Sequence, residues 1–410
     1  MAITSNLSIE RWYYDNTSQW TLDYPPFFAY FEYVLSKASV ANFFVPEALV
    51  LQSEPFFSLK FLYFHRTTVI LTDIFYAYSC CFLVESIGQM LPTRIAEGLG
   101  SVLISCVPLI IVDNIHFQYN SFLTSFLLIS IAYLFKRNFV AASFWYCVLL
   151  NLKHIYLYYA PAYAIIFLAD YMKAWRPNFI KNGFKLALVI SFPFIVSFGP
   201  LVYYGNVDIF WQIIRRLFPF QRGLTHAYWA PNIWACYNFI DFCLYKTLKC
   251  IKMLPIQAAP PSYTSGLVQE YSHSVLPNVS PKVTLFTTVV LLLPMLLTLN
   301  KKFMPKNIFL ILLTHSSFAF FLAGYHVHEK AIIMILIPYT ILAFCDFRYL
   351  TMLKNFCLTA TISLFPLLFT PFEGLIKVND SIIFHNTEYV SFLLTVKSSH
   401  WCMLLNSLIF

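Results

Sequence analysis

The sequence predicts an all-α, polytopic transmembrane bundle, and three observations carry that prediction. Of the 410 residues, 59% are hydrophobic and only 11% charged, far from the roughly 25% charged of an ordinary soluble domain. Long apolar runs separated by short polar loops recur from about Thr67 to the C-terminus, each near the ~20 residues that a helix needs to cross the bilayer hydrocarbon. None of the runs alternates as barrel strands do, and backbone amides in lipid are satisfied only within helices or a closed barrel.

The spans can be placed in order. The apolar runs fall at 67–88, 98–113, 119–135, 139–152, 155–172, 185–204, 283–299, 308–324, 331–346, 355–370 and, more weakly, 389–410, which is roughly ten or eleven crossings. Several are short or carry a proline, as at Pro108, Pro161 and Pro193, which neighbouring helices tolerate when they re-satisfy the freed carbonyls. Short, broken spans suit a bundle built around a cavity. The chain thus divides into a segment 1–66 with interfacial helices, an N-terminal bundle over 67–204, a long loop over 205–282 and a C-terminal bundle over 283–410.

Loop charge sets the orientation, because cytoplasmic loops carry an excess of Lys and Arg. One set of alternate loops holds Arg94; Lys136 and Arg137; Lys173, Arg176, Lys181 and Lys185; Lys301, Lys302 and Lys306; and Arg348 and Lys354. The short loops of the opposite set hold Lys153, Lys330 and Lys377, and the long loop 205–282 counts little in this rule. The first set is therefore expected in the cytoplasm. The sequons at Asn6, Asn16, Asn278 and Asn379 all fall on the other side, as acceptors of the secretory lumen should. The expected location is the endoplasmic reticulum membrane, with the polar motifs facing its lumen.

Other classes are excluded on composition. The net charge of +8 belongs to loops beside a membrane, and no basic stripe interleaved with aromatics points to nucleic acid. Ten cysteines are scattered mostly inside the apolar runs without CxxC spacing, so they read as packing residues rather than as metal ligands or disulfides. The first 60 residues lack the basic start and apolar core of a cleavable signal peptide, and the chain reads as one that opens mid-protein.

Five polar constellations gather on the lumenal side. Trp20-Thr-Leu-Asp23-Tyr24-Pro25-Pro26 places a carboxylate before a stiff two-proline turn; the same stretch also reads as an interfacial aromatic belt. Val112-Asp113-Asn114-Ile115-His116-Phe117-Gln118-Tyr119-Asn120 packs hydrogen-bonding side chains at a helix end, as a polar cavity or a solvated loop would. Asn151-Leu-Lys153-His154 puts a lysine against the positive-inside trend, as an anion ligand or an interface anchor. Arg215 to Asn232 carries Arg222, His226, Tyr228 and Trp229, a set that grips phosphate and stacks on sugar but equally fits a surface helix. Gly324-Tyr-His326-Val-His328-Glu329-Lys330 offers acid or base, carboxylate and ammonium within one turn; its His-x-His pair is also a metal-binding pattern, without the further ligand spacing of a dedicated site.

Taken in order, these motifs resemble the GT-C family of lumenal glucosyltransferases that use dolichyl-phosphate glucose to extend the lipid-linked oligosaccharide for N-glycosylation. The resemblance rests on Leu22-Asp23-Tyr24-Pro25-Pro26, His116-Phe117-Gln118-Tyr119-Asn120, Leu217-Phe218-Pro219-Phe220 with Arg222-Gly223-Leu224, and Val327-His328-Glu329-Lys330. Within the family, His226 to Asn232 and Gly324 to His328 look more like members that add the second glucose than those that add the first. The resemblance implies an inverting α-1,3 transfer of glucose from dolichyl-phosphate glucose to a lipid-linked oligosaccharide acceptor, with no soluble cofactor. The alternatives left open are first-glucose transfer to Man9GlcNAc2-diphosphodolichol, an inactive form, and a polytopic transporter, although the sequence shows no internal repeat of the transporter kind.

A displacement of this type needs one carboxylate base and several cations or donors for the phosphate. Asp23, Asp113, His328 and Glu329 are the candidate catalytic residues. His116, Gln118, Lys153, His154, Arg222, His226, Trp229 and Lys330 are the candidates for donor phosphate or sugar, and no metal ligand is assigned, although a divalent metal is left open. The family carries, upstream of where this chain starts, a first transmembrane helix and an acidic Asp-Phe-Glu-x-x-Arg-x-Trp segment whose aspartate is the base that the resemblance implies, and further helices beyond the point where this chain ends. The resemblance therefore implies a shortened chain.

Overall fold

A computed structural model describes residues 1–18, 21–37, 45–172, 177–218, 223–226, 230–254, 259–262, 272–300, 307–368, 370–371 and 373–374. The apolar run at 389–410, Lys377 and Asn379 lie outside the described residues. The described chain is a bundle of twelve principal helices: α1 Pro26–Lys37, α2 Leu59–Ile87, α3 Thr93–Ile104, α4 Asn120–Phe135, α5 Phe139–Leu152, α6 Ala160–Ile166, α7 Phe179–Leu217, α8 Ile233–Cys250, α9 Pro281–Leu292, α10 Ile308–Ala323, α11 Ile332–Cys345 and α12 Leu350–Ser363.

The expected spans divide into two kinds. Leu59–Ile87, Thr93–Ile115, Phe179–Leu217, Pro281–Leu299 and Phe347–Leu367 are long and apolar enough to cross a membrane. Helices α4, α5 and α10 are shorter, with 16, 14 and 16 residues, about 21–24 Å at 1.5 Å per residue against a hydrocarbon core of about 30 Å. Short helices suffice here because they lie inside the bundle. Leu123, Leu127, Leu128 and Ile131 of α4 and Leu310 and Leu313 of α10 are buried, and α11 is buried from Ile332 through Phe344, as a helix apolar all round should be. Long helices carry the exposed apolar belt instead: Leu71 and Ile74 on α2, Leu188 and Ile195 on α7, Leu285 and Phe286 on α9.

Local structure departs from the apolar runs at three places. Pro108 and Pro161 sit in the first turn of their helices, where a missing N–H costs nothing; Pro193 lies within α7. The run 155–172 is broken into a 3₁₀ turn His154–Tyr159, α6 and a wide turn Phe167–Met172. Helix α7 does not stop near residue 204 but continues to Leu217, bending at Asn206, whose φ is 59°. The segment 205–282 therefore holds the tip of α7 and all of α8 rather than loop throughout. A helix end that loses its apolar run as it leaves the lipid carries no hydropathy signal, which is why the sequence places the boundary early.

The tip of α7 anchors the N-terminal segment. Trp12, Tyr13 and Ala29 pack against Leu201, Ile209, Ile213 and Leu217. Gln212 Nε2 and Arg216 Nε donate to the Tyr13 carbonyl at 3.0 and 3.1 Å. The Tyr13 hydroxyl donates in turn to the Tyr24 carbonyl at 2.7 Å, which fixes the loop holding Asp23.

Candidate active site

The alternation of the bundle brings five stretches between helices to one end: the loop before α1, the α3–α4 connection, the close of α5, the α7–α8 connection and the α10–α11 connection. The first group is assembled by an unfinished helix start. Tyr119 occupies the N-cap of α4 and supplies no side-chain cap, although the first N–H groups of a helix need acceptors. Asp113, in the wide turn Ile110–Ile115, reaches across to provide them. Its Oδ2 accepts from the Ser121 backbone N–H and, at 2.6 Å, from the Ser121 hydroxyl, while Oδ1 accepts from Asn120 Nδ2 at 2.9 Å. Asp113 is 0% exposed, and these donors and the positive end of α4 surround its carboxyl group.

Asn120 passes the arrangement on. Its Oδ1 accepts from Lys153 Nζ at 2.8 Å, and its Nδ2 also donates to Gln118 Oε1 at 3.1 Å. Lys153 closes α5, with its backbone N–H on the Leu149 carbonyl at 2.9 Å. Its ammonium lies 5.9 Å from the centre of the Tyr24 ring, and that ring stacks on Phe28 at 4.4 Å.

The second group comes from the turn after α10. Gly324 closes the helix with no room for a side chain: a Cβ there would stand 2.4 Å from the Phe320 carbonyl oxygen. His326 then adopts a left-handed φ of 53°, held because its N–H donates to the Leu224 carbonyl at 2.9 Å and its Nδ1 meets the Gly223 carbonyl at 2.8 Å. Thr225 and Val327 pair alongside. This junction stacks the His226 and His328 rings 3.9 Å apart and sets His226 Nδ1 3.3 Å from Glu329 Oε2. Glu329 is 3% exposed.

The two groups share one electrostatic environment. Burial, and then the Lys330 ammonium, push Lys153 down to about 7, with the carboxylates of Asp113 and Asp23 pulling the other way. Burial also lowers Lys330, against the opposing charges of Glu329, Asp23 and Asp113. His328 is driven well below the usual imidazole range by burial first, then by Lys330, His226, His326 and Lys153, so its ring is neutral near pH 7. Two half-buried lysines and a neutral imidazole, with carboxylates behind them, form a site that gains stability when an anion enters.

His226, His328 and Glu329 also bring one ligand atom each within 4.8 Å of one another, a spacing that a divalent metal could close. The charges of Lys330 and Lys153 act directly on His328, and two ammoniums beside a metal position repel a dication while they attract an anion. The arrangement therefore suits phosphate better than metal.

Of the residues singled out in the sequence, Asp23, Asp113, Lys153, His226, His328, Glu329 and Lys330 come together here. Gln118 joins through Asn120. His116 Nε2 contacts the Leu367 carbonyl oxygen, and the His154 ring packs edge-on to Phe218 at 5.3 Å. Arg222 and Trp229 lie outside the described residues. Asn120, Ser121 and His326 were not foreseen; Asn120 closes a motif already quoted, and only the three-dimensional path of the chain shows what its amide joins.

Known proteins resemble this chain over nearly its whole length. The model of the ALG6, ALG8 glycosyltransferase family matches residues 1–408. A Caenorhabditis elegans protein named dolichyl pyrophosphate Glc1Man9GlcNAc2 alpha-1,3-glucosyltransferase is 45% identical over 388 residues, covering 92% of this chain and 50% of the relative. Proteins of the same name from Mus musculus and Coccidioides immitis are 40% and 41% identical over 94% and 92% of this chain, each with 75% of the relative covered. The chain thus spans half the length of the nematode relative and three quarters of the other two.

Proposed function

The chain belongs to the ALG6, ALG8 glycosyltransferase family, and on that premise we propose that it transfers glucose from dolichyl-phosphate glucose to Glc1Man9GlcNAc2-diphosphodolichol in α-1,3 linkage, at a site facing the lumen of the endoplasmic reticulum. The acceptor is the one named for the relatives described above. The observation that carries the reading is the half-buried cluster of Lys153, Lys330 and neutral His328 at one end of the bundle.

The chemistry follows from that cluster. The donor is a phosphodiester with one negative charge. The acceptor hydroxyl oxygen attacks the anomeric carbon, the carbon–oxygen bond to phosphate breaks, and the lipid phosphate leaves with the electron pair and a second negative charge. Cations placed on that phosphate stabilise the departing group more than the bound donor, so they raise the rate as well as the affinity. The hydroxyl proton passes to a carboxylate. Asp113 is unsuited to that step, since both its oxygens are engaged and it is fully buried. Asp23, half-buried and acting on both lysines, is the candidate base among the described carboxylates, and Glu329 Oε2 lies 3.3 Å from His226 Nδ1.

The test is transfer of labelled glucose in microsomes lacking the second-glucose activity. Conversion of Glc1Man9GlcNAc2 lipid to the diglucosylated product, lost in Asp23→Asn by about 100-fold or more in kcat as expected for removal of a general base, supports the reading. Conversion of Man9GlcNAc2 lipid alone would assign the first-glucose reaction instead.

A further inference from the structure

Asn120 has a carboxamide whose orientation is fixed by chemistry. Its two N–H bonds meet acceptors, Asp113 Oδ1 at 2.9 Å and Gln118 Oε1 at 3.1 Å, and its oxygen meets a donor, Lys153 Nζ at 2.8 Å. A flipped amide would set oxygen against the carboxylate and NH2 against the ammonium, so the amide can stand only one way round. Asp113 is in turn fixed by Ser121 at the start of α4, and Lys153 is fixed at the end of α5.

We propose that Asn120 is a positioning residue for the donor phosphate: it ties Lys153 to the anchored Asp113 and holds that ammonium where the phosphate enters. The inference rests on the assignment of Lys153 to the donor phosphate made above. It adds a role for a residue that acts on the phosphate through Lys153. An ammonium on a four-carbon stem has many rotamers, and one accepted hydrogen bond at 2.8 Å selects among them. The amide also leaves the ammonium's charge uncancelled, which a carboxylate at that position would not.

The groups acting on Lys153 are Lys330, which opposes its protonation, and Asp113 and Asp23, which favour it. The Tyr24 ring lies against it, and the Lys153 charge in turn acts on His328. The experiment measures KM for dolichyl-phosphate glucose from pH 6 to 9, with kcat and acceptor KM, in the full chain and in Asn120→Ala, Asn120→Asp and Lys153→Met. Loss of the anchor in Asn120→Ala should raise donor KM at least about tenfold, the scale of a hydrogen bond to a charged group, with acceptor KM unchanged. Asn120→Asp should instead move the pH at which donor binding weakens upward by about a unit or more, because the ammonium acquires an adjacent carboxylate. If Asn120→Ala does not fold, Asn120→Ser replaces it in the same comparison.

An Asn120 of structural importance only would lower the amount of active protein and leave the pH profile of donor KM in place, and that result overturns the inference. The arms also separate this inference from its premise. Donor KM unchanged in Lys153→Met defeats the phosphate assignment itself; donor KM raised in Lys153→Met but untouched in the Asn120 variants defeats the positioning role alone.

Discussion

Lys153 shows how much a single side chain depends on where the fold puts it. Held near 7 by burial and by Lys330, it is about half protonated at neutral pH, and an arriving phosphate raises its proton affinity again. Donor binding should therefore weaken as pH rises above about 7, read as a rising KM for dolichyl-phosphate glucose. Lys153→Arg should abolish that pH dependence, since guanidinium stays charged throughout. The same shift has a stability counterpart of opposite sign. The unfolded chain keeps the proton up to the ordinary ammonium value of 10.5 while the folded chain releases it near 7, so this group's contribution to stability rises with pH across that window and is smallest below it. Asp113 makes a contrasting case. Asp113→Asn should destabilise the protein by about 1–3 kcal/mol, because an amide nitrogen then faces the Ser121 donors, measured as a lower midpoint of thermal unfolding in detergent; an unchanged midpoint would show that the cap of α4 does not depend on the carboxylate. Asp113 was legible in the sequence as a polar residue at membrane depth, but its task of completing α4 was not, because the sequence does not say that Tyr119 leaves the cap unfilled.

At the scale of elements, function collects where helices stop. Hydropathy found most of the stopping points well: α4 was expected at 119–135 and runs Asn120–Phe135, α5 at 139–152 and runs Phe139–Leu152, and α10 at 308–324 and runs Ile308–Ala323. These helices are buried and apolar on all sides, so their ends coincide with the ends of their apolar runs. Helix α7 broke that correspondence because its last turns leave the lipid and pack on Trp12 and Tyr13. The turn after α10 is the sharpest of the stops. Gly324→Ala forces Cβ against the Phe320 carbonyl at a distance no side chain tolerates, so the turn carrying His326, His328 and Lys330 must move. The expected outcome is a loss of roughly 1–3 kcal/mol, as for other strained backbone positions, together with a raised donor KM. A variant with native KM would mean that the junction re-forms around the added methyl.

For the whole molecule, the antiparallel course of the helices divides polar groups between two ends. The candidate site occupies one; the other carries Arg137 paired with Asp170 and Arg348 paired with Asp346. The loop-charge rule assigns the second end to the cytoplasm, and α8, between α7 and α9, belongs to the first. Cys250 is exposed at the end of α8. In sealed microsomes carrying Cys250 as the reactive thiol, a membrane-impermeant maleimide should label it only after permeabilisation; labelling of intact vesicles would reverse the assigned orientation. The loop lysines and arginines propose an orientation for this division, whereas the meeting of residues 23, 113, 153, 226 and 328 was not legible in the sequence, since each lies on a different reversal of the chain.

The bend at Asn206 gives α7 an outer arm set apart from its span. Its tip grips the Tyr13 carbonyl through Gln212 and Arg216, and Tyr13 grips the Tyr24 carbonyl through its hydroxyl. The outer arm of α7 and the loop holding Asp23 are thus joined by a short series of hydrogen bonds, so the place of that carboxylate beside the lysines depends on where the arm lies.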